Sequence, residues 1–578
     1  MLTRSTSLLA VATISFLGAL VLASPAQRPA DLPQPAASGT RGPSAMAFSR
    51  DGKQVYVAEQ ESGSVAVLDA ATGTTLAHIA SGGKEPTGIA IADDGSTLLA
   101  VNSFSGTLGI LDLGKRVLKT TVSIPGGPCA VVSAQGRAFV AVGSMDVVAV
   151  VDLMTAKVTA RIPVGHRPDA LAMTPDRTTL VCANRAGGDL SLIDAREGKE
   201  IARVPVGAIN LRGVALSGDG SQAYVTGQQP HNDLPTERPE AMWSNVLCVV
   251  SLKGKGRLET TIPLDTPEAG AADPYGVAVQ GSSAFVSLGG VHTLATVNLG
   301  METPTIARRA LVGANPRAVA IRPGGEVWVA NYLGNSVSVR SESAAAERTF
   351  PLDPPERTTP RLRGQYLFAS AHLTKGRRFT CNTCHPDGNT EGLAWKFVHL
   401  HDDLNPRNSR NLRGGLLLTG PYGWSGRDAD FEDFVNDEIQ HLLGGPKLPH
   451  GEIHALWELV NDFDLPPNPY RNPDGSFTAP AVRGRALFAG EAGCYKCHAG
   501  GQYGGVGKKE WIGTSATGAK LDVPHLVGVY DSAPYLHDAS APTLESIFTQ
   551  RNPGQLHGNA HLLKPTQMRD LIEFLREL

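Results

Sequence analysis

"PSAMAFSRDGKQVYVAEQESGSVAVLDAATG", residues 43 to 73, alternates apolar and polar positions in short runs broken at Asp51-Gly52 and Gly63. A period of two marks strands that show one face to a core, and Asp-Gly is turn chemistry, so the stretch reads as a small antiparallel sheet. The pattern returns as "PTGIAIADDGSTLLAVNSFSGTLGILDL" from Pro86, "PCAVVSAQGRAFVAVGSMDVVAVVDL" from Pro128 and "PDALAMTPDRTTLVCANRAGGDLSLIDA" from Pro168, at spacings of 40 to 43 residues. Weaker copies start at Arg212, Pro274 and Pro316, making seven. A single sheet of this size cannot bury both faces. The copies must stack around an axis, which predicts an all-β, seven-bladed propeller over residues 40–352.

The fifth copy carries an insertion, "QQPHNDLPTERPEAMWSN" (228–245). Its proline-rich, polar composition suits a surface loop, because propeller loops lengthen at little cost. The alternative is an arm that packs on the second half of the chain or on a partner through His231, Asp233 and Trp243.

The whole chain has 578 residues, more than one core serves, and a net charge of -3 from 52 basic and 55 acidic residues, which disfavours nucleic acid as a partner. Arg4, an apolar run from Leu8 to Leu22 and the small residues Ala23, Ser24 and Ala26 form a secretory-signal layout. The expectation is a signal peptide over 1–26 and an exported, periplasmic mature chain. No transmembrane span is expected in it, since the run falls short of the ~20 residues that cross a bilayer.

After Leu352 the composition changes. A connector, "DPPERTTPRLRG", leads into a segment holding 12 of the 16 histidines, where strand alternation gives way to helical spacing such as Leu571, Phe574, Leu575 and Leu578. This half is mostly α and is duplicated. "RGQYLF" (363–368) precedes Cys381-Asn-Thr-Cys384-His385, and "RGRALF" (483–488) precedes Cys494-Tyr-Lys-Cys497-His498. The first unit is placed at 355–470 and the second at 476–578. Cys129, Cys182 and Cys248 stand alone among strands and read as small buried residues.

C-x-x-C-H is the attachment signature of c-type haem, with two thiols forming thioethers and the adjacent histidine taking the iron. Two covalently bound haems are therefore expected, on Cys381, Cys384 and His385 and on Cys494, Cys497 and His498. A thioredoxin-like pair or a zinc ribbon does not require histidine directly after the second cysteine, twice. Candidates for the second axial positions are His399, His401 and His441 for the first haem, and His557, His537 and Met568 for the second.

Two resemblances bear on these motifs. "VYVAEQ", "AYVTGQ" and "VWVANY" resemble YVTN-type propeller repeats, which specify fold well and function poorly. The two C-x-x-C-H units, "GPYGWSGR" (420–427) between them and "SAPYLHDASAPTLESIF" (532–548) after them resemble the di-haem cytochrome c peroxidase and MauG superfamily. That resemblance implies one haem as an electron store, another that meets peroxide, and a tryptophan between them. Trp424 matches that tryptophan, with Ser425 replacing the family's aspartate and Arg427 retained. His537 matches a histidine that lies near the second haem without ligating it, and His401 a histidine that ligates the first. Trp424 and His537 occupy equivalent places in the doubled region, one expected nearer each haem.

This sequence also departs from the family. Counting on from His537 through "TLE" reaches Arg551 where the family carries methionine or tyrosine, and His557 is the replacement read here. No acidic residue falls at the family's spacing beside the peroxidatic haem, and Glu438 is the nearest. Calcium lies between the haems in the related peroxidases. "DGNTEG" (387–392) offers suitable oxygens, as ordinary turns also do.

Together these readings lean towards a cytochrome c peroxidase-like oxidoreductase, with Trp424 and His537 in catalytic positions. Its partners would be peroxide and a small redox protein of cytochrome or cupredoxin type. The alternatives are a non-catalytic electron-transfer cytochrome whose propeller docks a partner and, ranked lowest, catalysis within the propeller.

Overall fold

The computed structural model describes residues 40–233, 238–341, 347–352, 359–397, 406–505, 507–515 and 517–578. The 1–26 segment, His399 and His401 lie outside the described residues.

Seven four-stranded antiparallel sheets follow one another, spanning residues 43–80, 86–123, 128–163, 168–205, 209–263, 274–311 and 316–351. Their first strands neighbour one another in sequence order and the first meets the seventh, so these strands ring the axis and the propeller closes. Six of the first strands begin at the prolines that mark the repeats, while the fifth begins at Ile209, three residues ahead of Arg212. Second strands such as Thr97–Asn102 are buried along their whole length, because blades cover both of their faces. The cores lie between blades: Leu99 and Val101 of the second pack with Val131 and Val140 of the third. Cys129, Cys182 and Cys248 sit in strands as free thiols.

Beyond the propeller run helices α1 (Pro360–Ala369), α2 (Cys381–Cys384), α3 (Phe431–Asp437), α4 (His450–Asn461), α5 (Ala479–Ala489), α6 (Leu544–Thr549) and α7 (Pro565–Arg576). The repeated Arg-Gly pair explains how each unit closes. A Cβ on Gly364 would stand 2.1 Å from the Ala455 carbonyl oxygen, and one on Gly484 would stand 1.9 Å from that of Asp570, so glycine lets α1 cross α4 and α5 cross α7 at close range. The preceding arginines then clamp the crossings, Arg363 on Glu452 at 2.7 and 2.8 Å and Arg483 on Asp570 at 2.7 Å twice.

The first attachment motif is bound to the propeller residue by residue. Thr380 and Thr383 donate to the two carboxylate oxygens of Asp273 at 2.6 Å each, Asn382 donates to Tyr275 Oη at 2.8 Å, and Asn210 donates to the Thr383 carbonyl at 2.9 Å. Asp387 follows, meeting Arg185 at 3.3 Å and Arg212 at 3.1 Å. Burial would raise its carboxyl, but the charges of Arg212, Arg317, Arg185 and Arg413 overcome that and hold it well below the ordinary range. Downstream, the buried pair Arg167–Asp531 at 2.8 Å ties the second unit to the propeller, and Asn389 reaches the same Asp531 at 2.6 Å.

The insertion in the fifth blade is an arm of this seam. Strands Gln222–Pro230 and Trp243–Ser251 pair out to Pro230↔Trp243, lifting a hairpin above the blade. Trp243 is fully buried against Trp395, with ring centroids 5.0 Å apart, in a cluster that includes Phe379 and Cys384. Asn232 donates to the Ala394 carbonyl at 3.1 Å and Lys396 to that of Asp233 at 3.3 Å, whereas His231 bonds Ser244 within the hairpin.

Asp273→Ala strips two buried hydroxyls of their acceptor, an expected loss of about 3 kcal/mol. The check is a denaturation midpoint together with amide exchange at residues 380–388, which should quicken; unchanged exchange there would refute the anchoring role.

Candidate functional site

Duplicate loops face one another between the two motifs. Each carries an X-Pro bond in cis, Gly420-Pro421 and Ala533-Pro534, then a tyrosine that closes the loop by an antiparallel bridge, Tyr422 to Asp428 and Tyr535 to Ala541. Trp424 and His537 are each the third residue after that proline. The rings meet edge to face, 6.3 Å between centroids. Asn408 fastens the pair, accepting from Trp424 Nε1 at 2.6 Å through its carbonyl and donating to the carbonyls of His537 at 2.5 Å and Pro534 at 2.8 Å.

A cavity of about 460 Å³ opens beside the second motif. Cys494, Cys497, His498, Trp424, His537 and His557 all line it, with Phe488, Leu526, Ile547 and Leu575 as apolar wall. Trp424 and His537 thus share this one cavity, where each had been expected nearer its own haem. His498 donates from Nδ1 to the Tyr503 carbonyl at 3.0 Å, which fixes the tautomer and leaves Nε2 with the lone pair that a metal would need. Burial lowers its pKa, favouring the neutral imidazole that binds iron.

His557 is held by its backbone. Its N–H donates to Asn552 Oδ1 at 2.8 Å, its carbonyl accepts from Asn552 Nδ2 at 3.2 Å, and its ring packs 5.9 Å from Phe548. Its Nδ1 is buried without a protein partner, and burial, then the charge of His498, takes its pKa down to about 4. Arg551 turns outwards to Ser540 and Asp538. Met568, on α7, is half-buried against the core of the second unit, and His441 is exposed and bonded to Asp437.

At the first motif, His385 donates from Nδ1 to the Arg410 carbonyl at 2.8 Å and is buried, with a pKa lowered to about 4 for that reason. Cys384 lies in the Trp243–Trp395 cluster, and Cys381 packs against the core of α1 and α4. Two carboxyls attend it, Glu391 buried and Glu438 half-buried. Glu391 accepts from Trp395 Nε1 and Ser409 Oγ, both at 2.8 Å, and burial pushes it up to about 8. Glu438 lies on a single π-turn, residues Glu438–Leu442, and is raised to about 7 by burial, opposed by the charge of Arg407.

Arg410 joins the two motifs. Its carbonyl orients His385, while its guanidinium lies 4.5 Å over the Trp424 ring, pairs with buried Asp522 at 3.2 Å and lines the second cavity. Burial raises Asp522 to about 6 in spite of that partner. Sequence reasoning missed Arg410 and Asp522, and offered Glu391 only within the calcium-suited stretch 387–392, whereas its carboxylate accepts from Trp395 and Ser409. No spacing signals the first two, because they become neighbours of the haem motifs only through the fold.

A sequence profile described as lactonase, seven-bladed beta-propeller, matches residues 23–131, and a cytochrome c profile matches residues 481–578. The chain is 24% identical over 273 residues to hydrazine synthase subunit gamma of Kuenenia stuttgartiensis, covering 37% of this chain and 76% of that protein. It is 24% identical over 300 residues to methylamine utilization protein MauG of Methylorubrum extorquens, covering 41% and 82%. The solved structure of Kuenenia stuttgartiensis hydrazine synthase has a like fold, with a TM-score of 0.50 at 22% identity over 53% of this chain and 97% of that one. The protein is therefore a seven-bladed propeller followed by a mostly helical cytochrome c region that carries covalent c-type haem. Among the described residues no helix is long and apolar enough to cross a membrane.

Glu391 supplies a pH test. Its folded pKa of about 8 exceeds the ordinary 4.5, so the folded chain holds the extra proton between those values and stability falls as pH rises through that window. Glu391→Gln should flatten the decline seen in denaturation midpoints from pH 5 to 9; an unaltered slope would contradict the assignment.

Proposed function

We propose that this chain is an exported di-haem c-type cytochrome of the peroxidase or MauG type, passing electrons between two covalently bound haems. Its redox partners in this reading are peroxide and a protein or small molecule. The observation that carries it is the cavity bounded by His498 and His557 with Trp424 on its wall, joined through Arg410 to the proximal histidine of the other motif. The domain division follows the sequence: propeller 40–352, first unit 355–470, second unit 476–578.

Haem iron held here supplies one-electron transfer and, where an axial position is open, reaction with peroxide. The protein's own contribution is orientation and water exclusion. His385 and His498 would be the proximal ligands, each with Nδ1–H spent on a backbone carbonyl. His557 would be the second ligand at the second haem, which would make that haem the electron store. His401 would hold the corresponding position at the first haem, weakly enough to leave that haem open to peroxide. Trp424 is the inter-haem bridge in this reading, its Nε1–H fixed by Asn408 and its face covered by Arg410. That guanidinium disfavours positive charge on the indole and the Asp522 carboxylate offsets it, so the pair adjusts how readily Trp424 gives up an electron. Glu438, a half-buried carboxyl near the first motif, is the group in this reading that handles a proton during peroxide cleavage.

A second reading rests on the same His498 and His557 pair. If both haems are closed by histidine, the chain only transfers electrons.

EPR of the half-reduced protein decides between them. A high-spin signal that shifts with peroxide is expected, and two low-spin haems indifferent to peroxide would sink the peroxidase reading. His557→Ala should alter the spectrum of one haem only, and an unchanged spectrum rejects His557 as a ligand. Trp424→Phe should slow inter-haem transfer at least about tenfold, a rise of roughly 1.4 kcal/mol in barrier, with both haems still attached.

A further inference from the structure

The two attachment motifs are alike in sequence and opposite in exposure. Between the cysteines of the first, Asn382 and Thr383 are 4% and 1% exposed, covered by Tyr275, Asp273 and Asn210 of the propeller. Between those of the second, Tyr495 is 50% exposed and Lys496 stands in solvent. Thioether bonds at these cysteines would hold one porphyrin edge beside the residues between them. Burying them takes that edge out of reach of another protein, and exposing them offers it.

The surroundings of the second motif are those of a docking face. Trp511 and Leu556, 47% and 45% exposed, also line the cavity, so with Lys496 they form its mouth. Residues 496–520 carry four lysines against one glutamate, in a chain whose net charge is -3, and Lys496 and Lys508 line the cavity with that glutamate, Glu510. An apolar centre with an exposed tryptophan and a basic rim is complementary to a partner with an apolar patch inside an acidic ring.

We infer that protein partners exchange electrons with this chain only at the second unit, over Tyr495, Lys496, Trp511 and Leu556. The partner is a small redox protein with an acidic face, and the propeller seals the first haem from such contact. This rests on the di-haem electron-transfer reading above.

The test follows oxidation of the dithionite-reduced, full-length holoprotein by stopped flow, with an acidic plastocyanin and a basic mitochondrial cytochrome c as alternative oxidised probes. The acidic probe should react faster at low salt and lose that advantage at high salt. Lys496→Glu should lower the ratio of acidic-probe to basic-probe rate at least tenfold, and Trp511→Ser should slow the acidic probe. A general loss of structure would slow both probes and leave the ratio in place, so the ratio reads docking. Wild-type protein that prefers the basic probe overturns the inference, as does a ratio that Lys496→Glu leaves unchanged. A concentration-dependent dimer dispersed by Trp511→Ser also overturns it, since the face would then serve a second copy of this chain. Dithionite separates this failure from that of the reading beneath it. Haem bands that dithionite does not change refute the electron-transfer reading itself, whereas normal reduction without charge preference refutes only the docking face.

Discussion

Asp387 lies two residues beyond His385 of the first motif and sits among arginines that the propeller supplies from its fourth, fifth and seventh blades. A carboxylate removed from water needs such partners, and guanidiniums crowded together need a carboxylate, so neither half is satisfied without the other. Beside this contact the hydroxyls of Thr380 and Thr383 find Asp273, and the backbone around Gly270 comes close enough to Arg377 that a Cβ there would stand 2.1 Å from a carbonyl oxygen. The haem-bearing loop is thus part of the propeller's end surface. In this chain the propeller's docked partner is its own first motif.

That constraint organises the rest of the cytochrome region. With the first motif pinned, the segment from Asn408 to Arg410 runs from His385 to the wall of the second cavity, serving one motif with a carbonyl and the other with a guanidinium. Duplicate loops supply Trp424 and His537, and because they face each other both arrive at the same cavity. Duplication made two similar halves, and docking on the propeller made them unequal. One motif is enclosed and the other open, a difference that suits an inner redox centre served by an outer one.

Much of the fold was legible because its signals are local. Period-two alternation with Asp-Gly turns and a 40-residue recurrence leaves few ways to bury apolar faces, and the blades follow. C-x-x-C-H is equally local, since attachment chemistry needs those residues within one turn. The Arg-Gly pairs announced the duplication, and the helix crossings give their reason: a carboxylate to clamp and a backbone to approach. The 228–245 arm was less legible. Its composition suits a loop, and Trp243 becomes a buried contact only when Trp395, 152 residues later, lies opposite.

By itself, then, the sequence determined seven blades and two attachment motifs, set by spacing within about 40 residues, and a doubled helical region, set by motifs that recur well over 100 residues apart. Tertiary structure decided which groups share a cavity. It brought His557 opposite His498 and turned Arg551 outwards, because the Asn552 clamp and the packing of Phe548 aim one side chain inwards and leave the other to Asp538. It also decided that Arg410 serves both motifs and that Asn382 and Thr383 are covered while Tyr495 and Lys496 are not. Such facts depend on how separately folded surfaces meet, and complementary charge and close approach across a seam leave no periodic trace along the chain.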